Sequence, residues 1–90
     1  MVSPLELPGA RLRLLEALRR RGLYAHMHAY EYILGYRGRI VGVLLVEPRR
    51  LSATLYSADK PPEELPALVR EALAEVDPSV RLELKPTWEA

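Results

Sequence analysis

Apolar residues recur along this chain with two different periods, and each change of period marks a new element. Leu65, Leu68, Val69, Ala72, Leu73 and Val76 fall on one face of a 3.6-residue turn, which predicts a helix. Glu63 and Glu64 stand at its start, where the helix dipole favours anions. Pro61, Pro62 and Pro66 stiffen the approach, and Asp77-Pro78 ends it. An earlier helix is predicted from Pro8, tolerated at a first helical position, to Gly22, which can take a left-handed cap. Its buried stripe would be Leu12, Leu14, Leu15 and Leu18. Ser3 and Glu6 have the spacing of a capping box, but Pro8 and Gly9 follow so closely that they predict a separate turn.

Between the helices the period falls to two. From Tyr24 to Tyr36 every second residue is aromatic, imidazole or leucine: Tyr24, His26, His28, Tyr30, Tyr32, Leu34, Tyr36. In one extended strand these would share a face, with Ala25, Met27, Ala29, Glu31 and Ile33 on the other. Glu31 sits awkwardly in that aliphatic set. It must lie at a margin, pair with an arginine, or mark the faces as reversed.

Two further runs follow, separated by short hairpin segments at 36–38 and 48–50. Arg39 to Glu47 is apolar at both parities, which predicts an interior strand covered on both faces. Leu51, Ala53 and Leu55 then alternate with Ser52, Thr54 and Tyr56. After the second helix, Val80, Leu82 and Leu84 alternate with Arg81, Glu83 and Lys85.

The order α-β-β-β-α-β predicts a single α+β domain over residues 1–90. Its four-stranded, mostly antiparallel sheet would carry two helices packed on one face. The last strand would return parallel to the third or beside the first. Helix, three strands, helix is also the order of double-stranded RNA-binding domains. Here, however, Lys60-Pro61-Pro62-Glu63-Glu64 stands where those domains open their second helix with lysines, which argues against membership.

Composition narrows the chemistry. The chain has no cysteine, so disulfides, thiolate catalysis and thiolate metal sites are excluded. The longest aliphatic run, Ile40 to Val46, is far short of the roughly 20 residues a membrane helix needs, and a soluble, cytoplasmic protein is expected. Eleven arginines against two lysines, with no Asn or Gln, read as thermophilic, although a GC-rich genome favours the same residues. Residues 1–50 carry nine arginines and four glutamates, a net of +5, whereas residues 51–90 carry a net of −4. A chain so polarised can pair with itself.

The aromatic stripe is the best functional clue. With the helices on one face of the sheet, the other would expose a contact surface of Tyr24, His26, His28, Tyr30, Tyr32 and Tyr56, joined by Trp88 from the C-terminal end. A homodimer or higher oligomer is expected. Nucleic-acid binding is the alternative, with Arg19, Arg20, Arg21, Arg37 and Arg39 on phosphates and tyrosines stacking on bases. A divalent transition metal is a third possibility. His26 and His28 share a face, and a hairpin turning on Arg37-Gly38 would place Glu47 opposite His28. No catalytic triad order, phosphate-cradling glycine loop or partnered carboxylate pair is present. The expected function is therefore a non-enzymatic, homo-oligomeric interaction or regulatory module without a cofactor.

Overall fold

The computed structural model describes residues 3–86. Two helices, α1 (Ala10–Arg20) and α2 (Leu65–Val76), pack on one face of a five-stranded sheet. Its strands are β1 (Tyr24–His28), β2 (Glu31–Tyr36), β3 (Arg39–Glu47), β4 (Ser52–Ser57) and β5 (Arg81–Pro86). They lie side by side in chain order. The first four form an antiparallel meander, and α2 carries the chain back so that β5 runs parallel to β4.

α2 is the helix its apolar spacing predicts, with Leu65, Val69, Ala72, Leu73 and Val76 buried and Asp77 capping its end. α1 differs in two respects. It begins at Ala10 rather than Pro8, because Gly9 has a left-handed backbone (φ 82°) outside the helical region and serves as the N-cap, its carbonyl accepting from the Arg13 N–H at 3.0 Å. Leu12 is 55 % exposed and does not belong to the stripe. Two residues from Leu14, it stands about 160° around the helix axis from it. Ala10, Leu14, Leu15, Ala17 and Leu18 face the core instead. The C-terminal end is as expected: Gly22 (φ 85°) reverses the backbone, and the Leu23 N–H donates to the Leu18 carbonyl at 3.3 Å.

The sheet has five strands, not four, because the Tyr24–Tyr36 run folds in half. Ala29 and Tyr30 form a two-residue turn that pairs His28 with Glu31 and Tyr24 with Gly35. Ala29 takes a positive φ of 55°, where glycine is the usual occupant. Across such a turn even positions on one arm face the same way as odd positions on the other. Tyr24, His26 and His28 therefore lie with Glu31 and Ile33 on the face away from the helices. Ala25 and Met27 lie with Tyr32 and Leu34 against them. Glu31 is accordingly exposed, and the awkwardness of its position in a single strand disappears.

Arg37 and Gly38, both with positive φ, turn the second hairpin. Beyond it, Leu34 pairs with Gly42 but Gly35 with Ile40, so Val41 is an extra residue in a β-bulge. Val41 is fully buried, and Gly42 beside it meets β4 at close range. A Cβ on Gly42 would stand 2.6 Å from the Tyr56 carbonyl oxygen. Backbone, unlike a side-chain tip, cannot swing aside, so Gly42→Ala is expected to cost about 1–3 kcal/mol of unfolding free energy. Urea titration of the purified variant checks it: an unchanged midpoint would mean that β3 and β4 separate without penalty.

The N-terminal segment is fastened to the C-terminal end of α2. Ser3 caps a short 3₁₀ turn over Pro4–Glu6, its hydroxyl accepting from the Leu5 N–H while Glu6 accepts from the Ser3 N–H, a complete capping box in the separate turn expected there. The same Ser3 hydroxyl donates to Asp77 Oδ2 at 2.6 Å, at the far end of α2. Asp77 Oδ1 accepts from the Ser79 N–H and hydroxyl at 3.0 and 2.6 Å. Near the C-terminal ends of both helices, Arg21 reaches Glu75 at 2.7 Å and Glu71 at 3.5 Å, and Arg20 also pairs with Glu75.

Candidate interaction surface

The face away from the helices is built from rows that cross the sheet in register. One runs His26, Ile33, Val43, Tyr56, Lys85; the next runs His28, Glu31, Leu45, Thr54, Glu83. At the end nearest the second hairpin, Tyr24, Gly35 and Ile40 form a third row. Tyr24 is 59 % exposed, Ile40 54 % and Ile33 39 %, and Val43, Leu45 and Tyr56 are half-buried. Apolar groups thus occupy the middle of this open face. Imidazoles line its β1 margin, and the alternating charges of Arg81, Glu83 and Lys85 line its β5 margin.

Gly35 shapes the first of these rows. A Cβ there would press on Tyr24 Cβ at 3.2 Å and on the Arg39 carbonyl at 3.3 Å, so its absence lets the Tyr24 ring lie across the strand. Tyr24, Gly35, Arg39 and Ile40 with the second hairpin enclose a shallow depression of about 380 Å³. Tyr36 leaves this face: its hydroxyl donates to Glu64 Oε2 at 3.2 Å, and the Arg37 guanidinium lies 5.0 Å from its ring centre. Hydrogen bonds from the backbone at Glu64 and from Tyr36, with Arg37 nearby, hold the Glu64 carboxyl below its usual range despite slight desolvation.

Of the expected contact residues, Tyr24, His26, His28 and Tyr56 do share the open face. Tyr32 does not: it is fully buried among the helices, and its hydroxyl donates to the Arg11 carbonyl at 3.0 Å. Tyr30 sits in the turn, packed on the core, with the Arg11 guanidinium 5.1 Å from its ring centre. Trp88 lies outside the described residues. Ile33 and Ile40, which the unbroken-strand pattern had not singled out, take the places vacated by the two tyrosines. Ile33 is placed there by the hidden turn at Ala29-Tyr30, which no Gly, Asn or Asp announces, and Ile40 by the bulge at Val41, which sets it on the opposite face from Gly42, Leu44 and Val46.

The arginines proposed for phosphate binding all have partners within the chain. Arg19 donates to the Ala25 carbonyl at 2.9 Å, Arg20 and Arg21 pair with Glu75, and Arg37 stands 3.9 Å from Glu64. Arg39 donates to the carbonyls of Asp59 and Lys60 at 2.8 and 3.2 Å. The metal-ligand set does not assemble. His26 and His28 share the open face, but the bulge and the extra hairpin leave Leu45 in the row of His28, and Glu47 pairs with Ser52. Among the described residues no group of three or more His, Asp or Glu is placed to hold a metal ion. No helix among them is long and apolar enough to cross a membrane.

Comparison of the chain with protein-family models, with curated proteins and with solved structures gave no match in any of the three.

Proposed function

We propose that the chain is a non-enzymatic interaction module that associates with further copies of itself through the open face of its sheet. The observation that carries this reading is the strip of exposed and half-exposed apolar groups through Tyr24, Ile40, Ile33, Val43 and Tyr56. It is flanked by polar groups of both signs, as interface cores are flanked by polar rims. A second copy suits it because the open face itself carries both signs of charge at its margins, Glu31 and Glu83 against Arg81 and Lys85, so two such faces can be complementary. Nucleic-acid binding is the weaker reading, since its five arginines already hold carboxylates and backbone carbonyls at home.

The test is light scattering behind a sizing column over a hundredfold dilution, at low and high salt. The expected result is a mass above the 10.2 kDa of one chain that survives high salt. Tyr24→Ala combined with Ile33→Asp should raise the dissociation constant of the face contact by roughly tenfold or more, as loss of central interface anchors does. Wild-type protein that stays monomeric throughout, or a double variant of unchanged mass, would overturn the reading.

A further inference from the structure

The outer edge of β5 carries a second pattern, independent of the open face. The Arg81 N–H donates to the Leu51 carbonyl at 2.9 Å, so the backbone groups of Arg81, Glu83 and Lys85 point toward β4. Those of Leu82, Leu84 and Pro86 point away from the sheet. β5 is the last strand of the sheet, and Leu84 is 49 % exposed on the helix side. Beside it a groove of about 470 Å³, lined by Lys60, Pro61 and Pro86 among others, is not filled by α2. The opposite edge, β1, is guarded, because Arg19 already occupies its outward Ala25 carbonyl.

We propose that β5 pairs antiparallel with β5 of a second copy, with Leu84 on the two-fold axis. In this register Leu84 and its symmetry mate exchange both backbone hydrogen bonds, and each Leu82 N–H donates to the Pro86 carbonyl of the other copy. Pro86 has no N–H to offer, and none is required there beyond the one bond it accepts. Glu83 falls opposite Lys85 in a non-hydrogen-bonded pair, the closer kind, on both sides of the axis. Shifting the axis to Glu83 would set Glu83 against itself and Arg81 against Lys85, like charges opposed. The charges of Arg81, Glu83 and Lys85 alternate in sign, so in the Leu84 register they match those of their own copy under rotation.

The axis stands normal to the sheet, so the two open faces point the same way and the face contact proposed above keeps its access. The two proposals fail separately. Tyr24→Ala with Ile33→Asp removes the face contact and leaves this one.

Because the chain has no cysteine, single cysteines report the register. Leu84→Cys should give a disulfide-linked dimer under mild oxidation, its Cα atoms about 5.5 Å apart and within disulfide range. Glu83→Cys and Lys85→Cys should each fail alone and cross-link when mixed. Glu83→Lys and Lys85→Glu should each weaken the dimer tenfold or more, and the double reversal should restore it to within about threefold. Cross-linking of Leu84→Cys no better than that of Arg13→Cys on the exposed side of α1, or a double reversal that rescues nothing, would overturn the pairing and leave β5 a solvated edge.

Discussion

Tyr32→Ala should remove a large share of the stability of the fold rather than shift an oligomeric equilibrium. Tyr32 heads the fully buried side chains by volume and is 0 % exposed, between the helices and the sheet. Truncating a buried aromatic costs about 3–5 kcal/mol, against a total stability of about 5–15 kcal/mol for a domain of this kind. Tyr32→Phe separates ring from hydroxyl. It keeps the packing and gives up only the bond to the Arg11 carbonyl, a loss of about 1 kcal/mol. Burial, only partly offset by the nearby Arg11 charge, pushes the Tyr32 hydroxyl up to about 12. A folded pKa above the unfolded one means stability complete below the ordinary value of 10.0 and lost as pH rises toward 12. Urea unfolding at neutral and alkaline pH checks both parts: Tyr32→Ala as stable as wild type would place the ring outside the core.

Acid should act at the other end of the molecule, through Asp77. Desolvation pushes its carboxyl up, but the hydroxyls of Ser3 and Ser79 and the Ser79 N–H outweigh this and hold it below the usual 3.8. A depressed folded pKa gives stability that is complete above the unfolded value, and that stability falls away as pH drops from 3.8 through the folded value. Asp77→Ala removes all three bonds and leaves the Ser3 hydroxyl without its acceptor, for an expected loss of roughly 2–4 kcal/mol at neutral pH. Asp77→Asn keeps the shape and abolishes the titration. Its unfolding midpoint should fall less than that of wild type between pH 7 and pH 3. Parallel acid profiles for the two proteins would show that Asp77 contributes nothing to the pH dependence.

Much of this architecture is legible in the residues themselves. α2 follows from six apolar positions on one helical face with Asp77-Pro78 behind them, and β5 follows from alternation bounded by turns. β3 follows from a run apolar at both parities and is the central strand, but only its helix side is fully covered, Val43 and Leu45 on the other side being half-buried. The hairpin at Ala29-Tyr30 is hidden for a physical reason. A two-residue turn does not interrupt a period of two in the sequence, yet it exchanges the faces on either side. Alanine at positive φ, stabilised by the packing of its neighbours, gives none of the signal that glycine would. The same exchange explains why Tyr24, His26 and His28 stayed on the open face while Tyr32 went into the core. The bulge at Val41 is only weakly signalled, since a lone glycine in an aliphatic strand marks a bulge or a close backbone approach without saying which, and Gly42 turns out to have both beside it. It is this bulge, with the extra hairpin, that carries Glu47 away from His28.

The strands lie in the sheet in the order in which they occur in the chain, and four of the five are joined only by short turns. Such local pairing closes small loops and forms early. The bond between Ser3 and Asp77 bridges 74 positions and belongs to the opposite class. Groups so far apart in sequence meet at a higher loop-closure cost than neighbouring strands do, so Asp77→Ala is expected to speed unfolding more than it slows folding, which the two arms of a chevron plot report. On that expectation the clasp from Ser3 to Asp77 lengthens the life of a folded molecule, while the meander sets how quickly one is made.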